Sequence, residues 1–276
     1  MTDARTTPTH ALTDGTTMTA LAVPTSTDRA GGATTLRQLG LIAQWQARRL
    51  ATWLPLLVVV QVLLSVTTVF GYGLLVGDPP PAAAAYLATG AATVTLVMVG
   101  LVMAPQQVAQ ARTEGSYAWM RTLPVPRWVF LAADLLVWSL VALPGTVLGV
   151  VAGAWRFDVD LSISAWIVVA APLVSLIAAT VGYSMATVLP PQVAQLLTQV
   201  LVFLVLLFSP ISFPAERMPG WLATAHDWLP LEPMADLMRA TLMSDAFTMP
   251  ARSVLVLAAW TAIALFGAGR ALTRRT

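Results

Sequence analysis

Residues 54–76 read LPLLVVVQVLLSVTTVFGYGLLV, and no aspartate, glutamate, lysine or arginine interrupts them. An α-helix rises about 1.5 Å per residue and the hydrocarbon layer of a bilayer is about 30 Å thick, so about 20 such residues cross it. Working outward, five further apolar runs follow at 84–104, 128–153, 163–189, 193–213 and 253–269. The last is the shortest and ends at Arg270. Runs four and five are parted only by Leu189, Pro190, Pro191 and Gln192, and two adjacent prolines break a helix. A tight helical hairpin is expected there. The pattern predicts an all-α integral membrane protein with six transmembrane helices.

Composition excludes the alternatives. Hydrophobic residues make up 57% of the 276 and charged residues 10%, whereas a soluble domain carries roughly 25% charge to solvate its surface. Cysteine is absent, which removes disulfides, thiolate metal sites and cysteine nucleophiles from consideration. The two histidines, His10 and His226, stand far apart. No HExxH, GxxxxGK[ST] or GxSxG motif occurs, so neither a catalytic site nor a metal site is expected in this chain. The basic residues are 15 arginines and no lysine, placed at the ends of apolar runs. A nucleic-acid binder would gather them on one soluble face.

Those arginines set the orientation. With the N-terminus inside, Arg37, Arg48, Arg49, Arg112, Arg121, Arg127, Arg270, Arg274 and Arg275 are cytoplasmic, nine against the four outside at Arg156, Arg217, Arg239 and Arg252. The acids Asp78, Asp158, Asp160, Glu216, Asp227, Glu232, Asp236 and Asp245 share the outer loops. The positive-inside rule then puts both termini in the cytoplasm.

The flanking segments differ in character. Residues 1–33 are threonine-rich and lack apolar periodicity, and are expected to be a disordered cytoplasmic tail. They contain no apolar core of a secretory signal, and Met18 is a second candidate start. From residue 34, Leu36, Leu39, Ala43, Ala47 and Leu50 recur at helical spacing, with Thr34 or Thr35 as the cap. Arg37, Arg48 and Arg49 fall on the other side and Trp45 and Trp53 are amphipathic rings. That combination fits an amphipathic helix in the membrane interface, with arginines toward phosphates and indoles at headgroup depth. A plain cytoplasmic extension of the first span is the alternative.

Two connections carry more than a link requires. Residues 105–127, PQQVAQARTEGSYAWMRTLPVPR, are polar, helix-compatible through Trp119, and closed by Pro124 and Pro126. A short helix on the membrane surface can pass a partner's motion to the spans it joins, and an ordinary solvated loop remains the competing reading. Residues 209–252 hold an amphipathic piece in which Met234, Leu237, Met238 and Leu242 share one face, with Asp236, Arg239 and Asp245 elsewhere. Such short outer-side helices can dip into a leaflet or cap a pathway. Asp134, a few residues into the third run, reads as an interfacial carboxylate near Arg127 or Arg121 and not as a proton relay. His226, with Asp227 and Glu232, reads as part of a solvated loop.

The stretch RTEGSYAWMRTLPVPRWVFLAADL resembles the coupling region of ABC-2-type ABC transporter permeases. Glu114, Gly115, Ser116, Leu123, Pro124, Val125 and Arg127 match that family's Glu-Gly-Ser/Thr and Leu-x-Pro-Val/Ile-basic pattern. Phe208 to Pro214, Met218 to Leu222, Leu229 to Leu231, and Arg239 look like its segment after span five. The resemblance covers residues 34–276, which it implies form one transmembrane domain. It further implies a permease without its own ATPase, exporting a drug-like or lipid-like amphipathic molecule across the plasma membrane. The implied partners are an ABC ATPase subunit carrying ATP and Mg, a second permease subunit, identical or paralogous, and membrane lipids, with no nucleic acid. Arg112, Glu114, Gly115 and Arg121 would lie where the ATPase couples, and spans two and five, through Thr93, Val97, Gln199 and Phe203, would line the pathway between two subunits. A membrane anchor that recruits an ATPase for signalling or immunity is the alternative from another class.

Overall fold

The computed structural model describes residues 32–103, 105–106, 110, 113–115 and 125–273. The 1–33 tail, apart from its last two residues, therefore lies outside the described residues. In chain order the helices are α1 (Gly32–Leu50), α2 (Leu54–Val76), α3 (Pro81–Met98), α4 (Arg127–Phe157), α5 (Ile167–Val188), α6 (Pro191–Phe208), α7 (Gly220–His226), α8 (Leu231–Leu242) and α9 (Ala251–Thr273). Among the described residues there is no strand, only an isolated parallel bridge between Ser162 and Met243.

Four helical stretches are long and apolar enough to cross a bilayer: Leu54–Val76, Pro81–Met103, Trp128–Phe157 and Ile167–Met185. Gln192–Phe208 and Ala251–Ala264 are shorter apolar helices. The departures from the sequence expectation have local causes. α3 begins at Pro81, since proline at the first turn loses no needed N–H, and α6 stops at Phe208 before Ser209 and Pro210, short of residue 213. Residues 163–166 do not join α5, because Ser162 and Ser164 donate their N–H groups to the carbonyls of Leu242 and Thr241 at 3.1 and 2.8 Å. α1 ends at Leu50, and a turn whose Trp53 N–H meets the Leu50 carbonyl at 2.8 Å carries the chain into α2.

The centre of the bundle is α3, wrapped by α2 and α4 on one side and by α5 and α8 on the other. Small residues let the backbones approach. A Cβ added at Gly145 of α4 would stand 2.8 Å from Gln61 Cβ, and one at Gly153 would stand 2.6 Å from the Ala88 carbonyl oxygen. Without a hydrophobic drive between helices in lipid, such close packing and interhelical hydrogen bonds supply the association energy. Ser65 supplies one, its Oγ donating to the Gly145 carbonyl at 2.6 Å and lying 2.6 Å from Thr95 Oγ1. Immediately after α3, Val99–Met103 form a π-helical turn, buried apart from Met103, that packs on α5. α1 lies along α4, and α6 touches α3, the π turn and α5 only sparsely.

Candidate functional site

At the end of the bundle bearing residues 105–115, Gln110 and Thr113 are helical and Gly115 ends the turn with a φ of +73°. That left-handed angle suits glycine. The helical turn is interrupted at Gly115; Trp119, Arg112 and Arg121 lie outside the described residues. The Glu114 carboxylate takes two partners: Arg49 Nη2 donates to Oε2 at 3.1 Å, and Gln110 Nε2 donates to Oε1 at 2.7 Å. The Arg49 guanidinium also lies 5.9 Å from the centroid of the Trp45 ring. Two expected groups, the α1 residues Trp45 and Arg49 and the coupling residue Glu114, are thus one cluster. Arg48 is exposed and outside it. The ion pair keeps 40% and 44% of its side-chain surface open, so it contributes about 0.2–1 kcal/mol to stability. It links α1 to the segment that follows α3.

At the opposite end stands an arrangement whose burial the sequence reading did not foresee. Arg239 of α8 is 2% exposed. Its guanidinium donates to Asp236 Oδ1 at 2.8 Å and to the Ile211 carbonyl at 3.3 Å, and stacks 3.6 Å from the centroid of Tyr86. Asp236 Oδ2 accepts from Ser253 at 2.6 Å. The charged side of α8 is therefore buried as well as its Met234–Met238 face, because α3, the 209–214 stretch and α9 close over it. Burial pulls the Arg239 pKa down, while Tyr86 and Asp236 act in the opposite sense. The i, i+3 spacing of Asp236 and Arg239 was a legible sign of pairing; Tyr86 and Ser253 left none. Nearby, Arg252 pairs with Asp227. His226 is a further correction: it is 5% exposed, not in a solvated loop.

The four pathway candidates divide. Thr93 and Val97 are fully buried inside the chain's own packing. Gln199 is exposed and Phe203 is 59% exposed on the open side of α6. Asp134 of α4 is hydrogen-bonded by the Trp138 side chain one turn on.

The family model described as ABC-2 type transporter matches residues 34–243, more than half of the chain. The chain belongs to the ABC-2 type transporter family. An ABC-2 permease domain is the non-catalytic membrane component of a transporter, and permeases of this family typically work with an ATPase subunit. The match starts within α1 and runs through α8, so the Glu114 cluster and, apart from Ser253, the Arg239 cluster lie inside the ABC-2 region. No curated protein matches the chain in sequence.

Proposed function

We propose that this chain is the membrane subunit of an ATP-driven exporter of the plasma membrane, working as a pair of permeases driven by separate ATPase subunits that bind ATP and Mg. Residues 34–276 form its single transmembrane domain. In this reading all six apolar helices cross the bilayer, α6 and α9 included, with both termini cytoplasmic. The cargo is a drug-like or lipid-like amphipathic molecule. Gln199 and Phe203 lie on a face that a second permease can cover. Thr93 and Val97, buried within the chain, would reach a shared pathway only after the helices around them moved.

The observation that carries the proposal is the clasp between Arg49 and Glu114. A push delivered by an ATPase to the segment following α3 reaches α1 through that pair, and α1 lies along α4. One contact then moves the elements on either side of the loop together. Glu114 acts within the chain in this scheme, and Arg112 and Arg121 are proposed as the charges that meet the partner.

Co-reconstitution of the chain with its ATPase subunit in proteoliposomes tests this. ATP-dependent flux is expected, and Glu114→Arg or Arg49→Glu alone should lower flux per ATP severalfold at normal membrane abundance. The double exchange should recover most of it, because the pair is restored with reversed sign. ATPase binding with no flux of any amphiphile would favour the anchor reading, and wild-type coupling in both single variants would remove the clasp from the mechanism.

A further inference from the structure

Val97 forms part of the wall of a partly open apolar chamber of about 330 Å³. Ala178 of α5, Leu201 and Phe208 of α6, Met234 of α8 and Trp260 of α9 complete its sides. Its described lining comes from one chain, and it is partly open, with Leu204, Phe208 and Leu229 exposed along it. Among the described residues no carboxylate or guanidinium lines it. The Trp260 indole N–H is committed to the Trp228 carbonyl at 2.8 Å. His226 is the other lining side chain with a polar atom, and it is buried.

The tautomer of His226 follows from its partner. Its Nδ1 lies 3.0 Å from the Leu222 carbonyl oxygen, and a carbonyl only accepts, so Nδ1 carries the proton. In the neutral ring Nε2 is then an acceptor. A chamber set among lipid tails gains little by the hydrophobic effect, since a chain moving in from the bilayer leaves an equally apolar place. A hydroxyl in the same surroundings is costly unless it finds a partner. This side-chain acceptor at the chamber wall therefore decides what binds.

We propose that this chamber is a binding site for a neutral long-chain amphiphile with a hydroxyl head, the chain lying along α5 and α6 and the hydroxyl donating to His226 Nε2. The proposal rests on the permease reading only for calling that ligand cargo. α6 is the wall that yields for entry, being sparsely packed and bounded by Pro190 and Pro191 at one end and Ser209 and Pro210 at the other.

Trp260 makes the site observable. The full-length chain in lipid nanodiscs is titrated with 9,10-dibromooctadecan-1-ol, whose bromines quench nearby tryptophan, and with its methyl ether, which has no donor. The alcohol should quench a saturable component that is missing in Trp260→Phe. The ether should need roughly threefold to tenfold more for the same effect, the worth of one net hydrogen bond. His226→Phe should abolish that difference, and Val181→Phe, which fills the chamber from α5, should weaken both ligands. Equal quenching in wild type and Trp260→Phe, or equal affinity for alcohol and ether in wild type, overturns the proposal. Neither measurement uses ATP or flux, so such a failure leaves the exporter reading standing. Loss of flux with Trp260 quenching intact would do the reverse.

Discussion

At the scale of single residues, Arg239 is the side chain on which most of the α8 end depends. Its cation is desolvated, and Asp236, Ile211 and Tyr86 compensate for that together. Removing one member of a buried ion pair leaves the other charge stranded, at about 3–5 kcal/mol. Arg239→Ala should therefore lower the thermal midpoint of the purified chain well beyond Arg217→Ala, whose side chain is exposed. Arg239→Lys should recover only part of it, since an ammonium cannot match the planar stack on Tyr86. Equal midpoints for the alanine variants at 217 and 239 would show that the cluster carries no stability. Glu114 has the opposite character. Its pair is exposed and cheap to break, so its substitution is expected in coupling and not in folding.

At the scale of elements, the contact of α4 with α3 turns on what is missing at residue 153. Gly→Ala inside a helix ordinarily gains about 1 kcal/mol of propensity. At Gly40 of α1 nothing lies within 4 Å of the added methyl, so Gly40→Ala should stabilise. At Gly153 the methyl would meet the Ala88 backbone, with its oxygen at 2.6 Å and Cα at 2.7 Å. Backbone cannot rotate aside, and overpacking costs about 1–3 kcal/mol. Gly153→Ala should destabilise, so the two identical substitutions carry opposite signs in a detergent melt. A rise in both would mean that α3 and α4 sit further apart than described. The helices themselves were legible in the sequence: runs of 18 or more apolar residues must satisfy their backbone internally. Their ends were less so, since the start of α5 is decided by bonds to residues near 242, about 80 positions away.

At the scale of the whole molecule, the arginine asymmetry makes a prediction that no single contact makes. Because cysteine is absent, Ala30→Cys, Asp78→Cys, Ala225→Cys and Arg274→Cys each give one addressable thiol. An impermeant reagent should label 78 and 225 in intact cells, and 30 and 274 only after permeabilisation. Labelling at 30 and 274 but not at 225 would invert the topology. A thiol at 78 that stays dark while 225 labels would leave fewer spans than the six proposed.

The sequence by itself determined that this is a membrane protein of helices, where most of them run, and the segment that carries its resemblance to the family. These are properties of contiguous residues: apolar length, proline breaks, and a short motif from Glu114 to Arg127. Tertiary structure alone decided the rest. Glu114 meets Arg49 across 65 positions of chain, and nothing in either neighbourhood announces the partner. Arg239 reads as the polar side of an amphipathic helix until Tyr86, Ile211 and Ser253 arrive from three other places to bury it. His226 reads as a loop residue until α5, α6 and α9 build an apolar chamber around it. Hydrophobicity acts on each residue where it stands, so it can be read along the chain. A charge or an imidazole takes its meaning from the groups beside it in space, and only the folded chain brings those together.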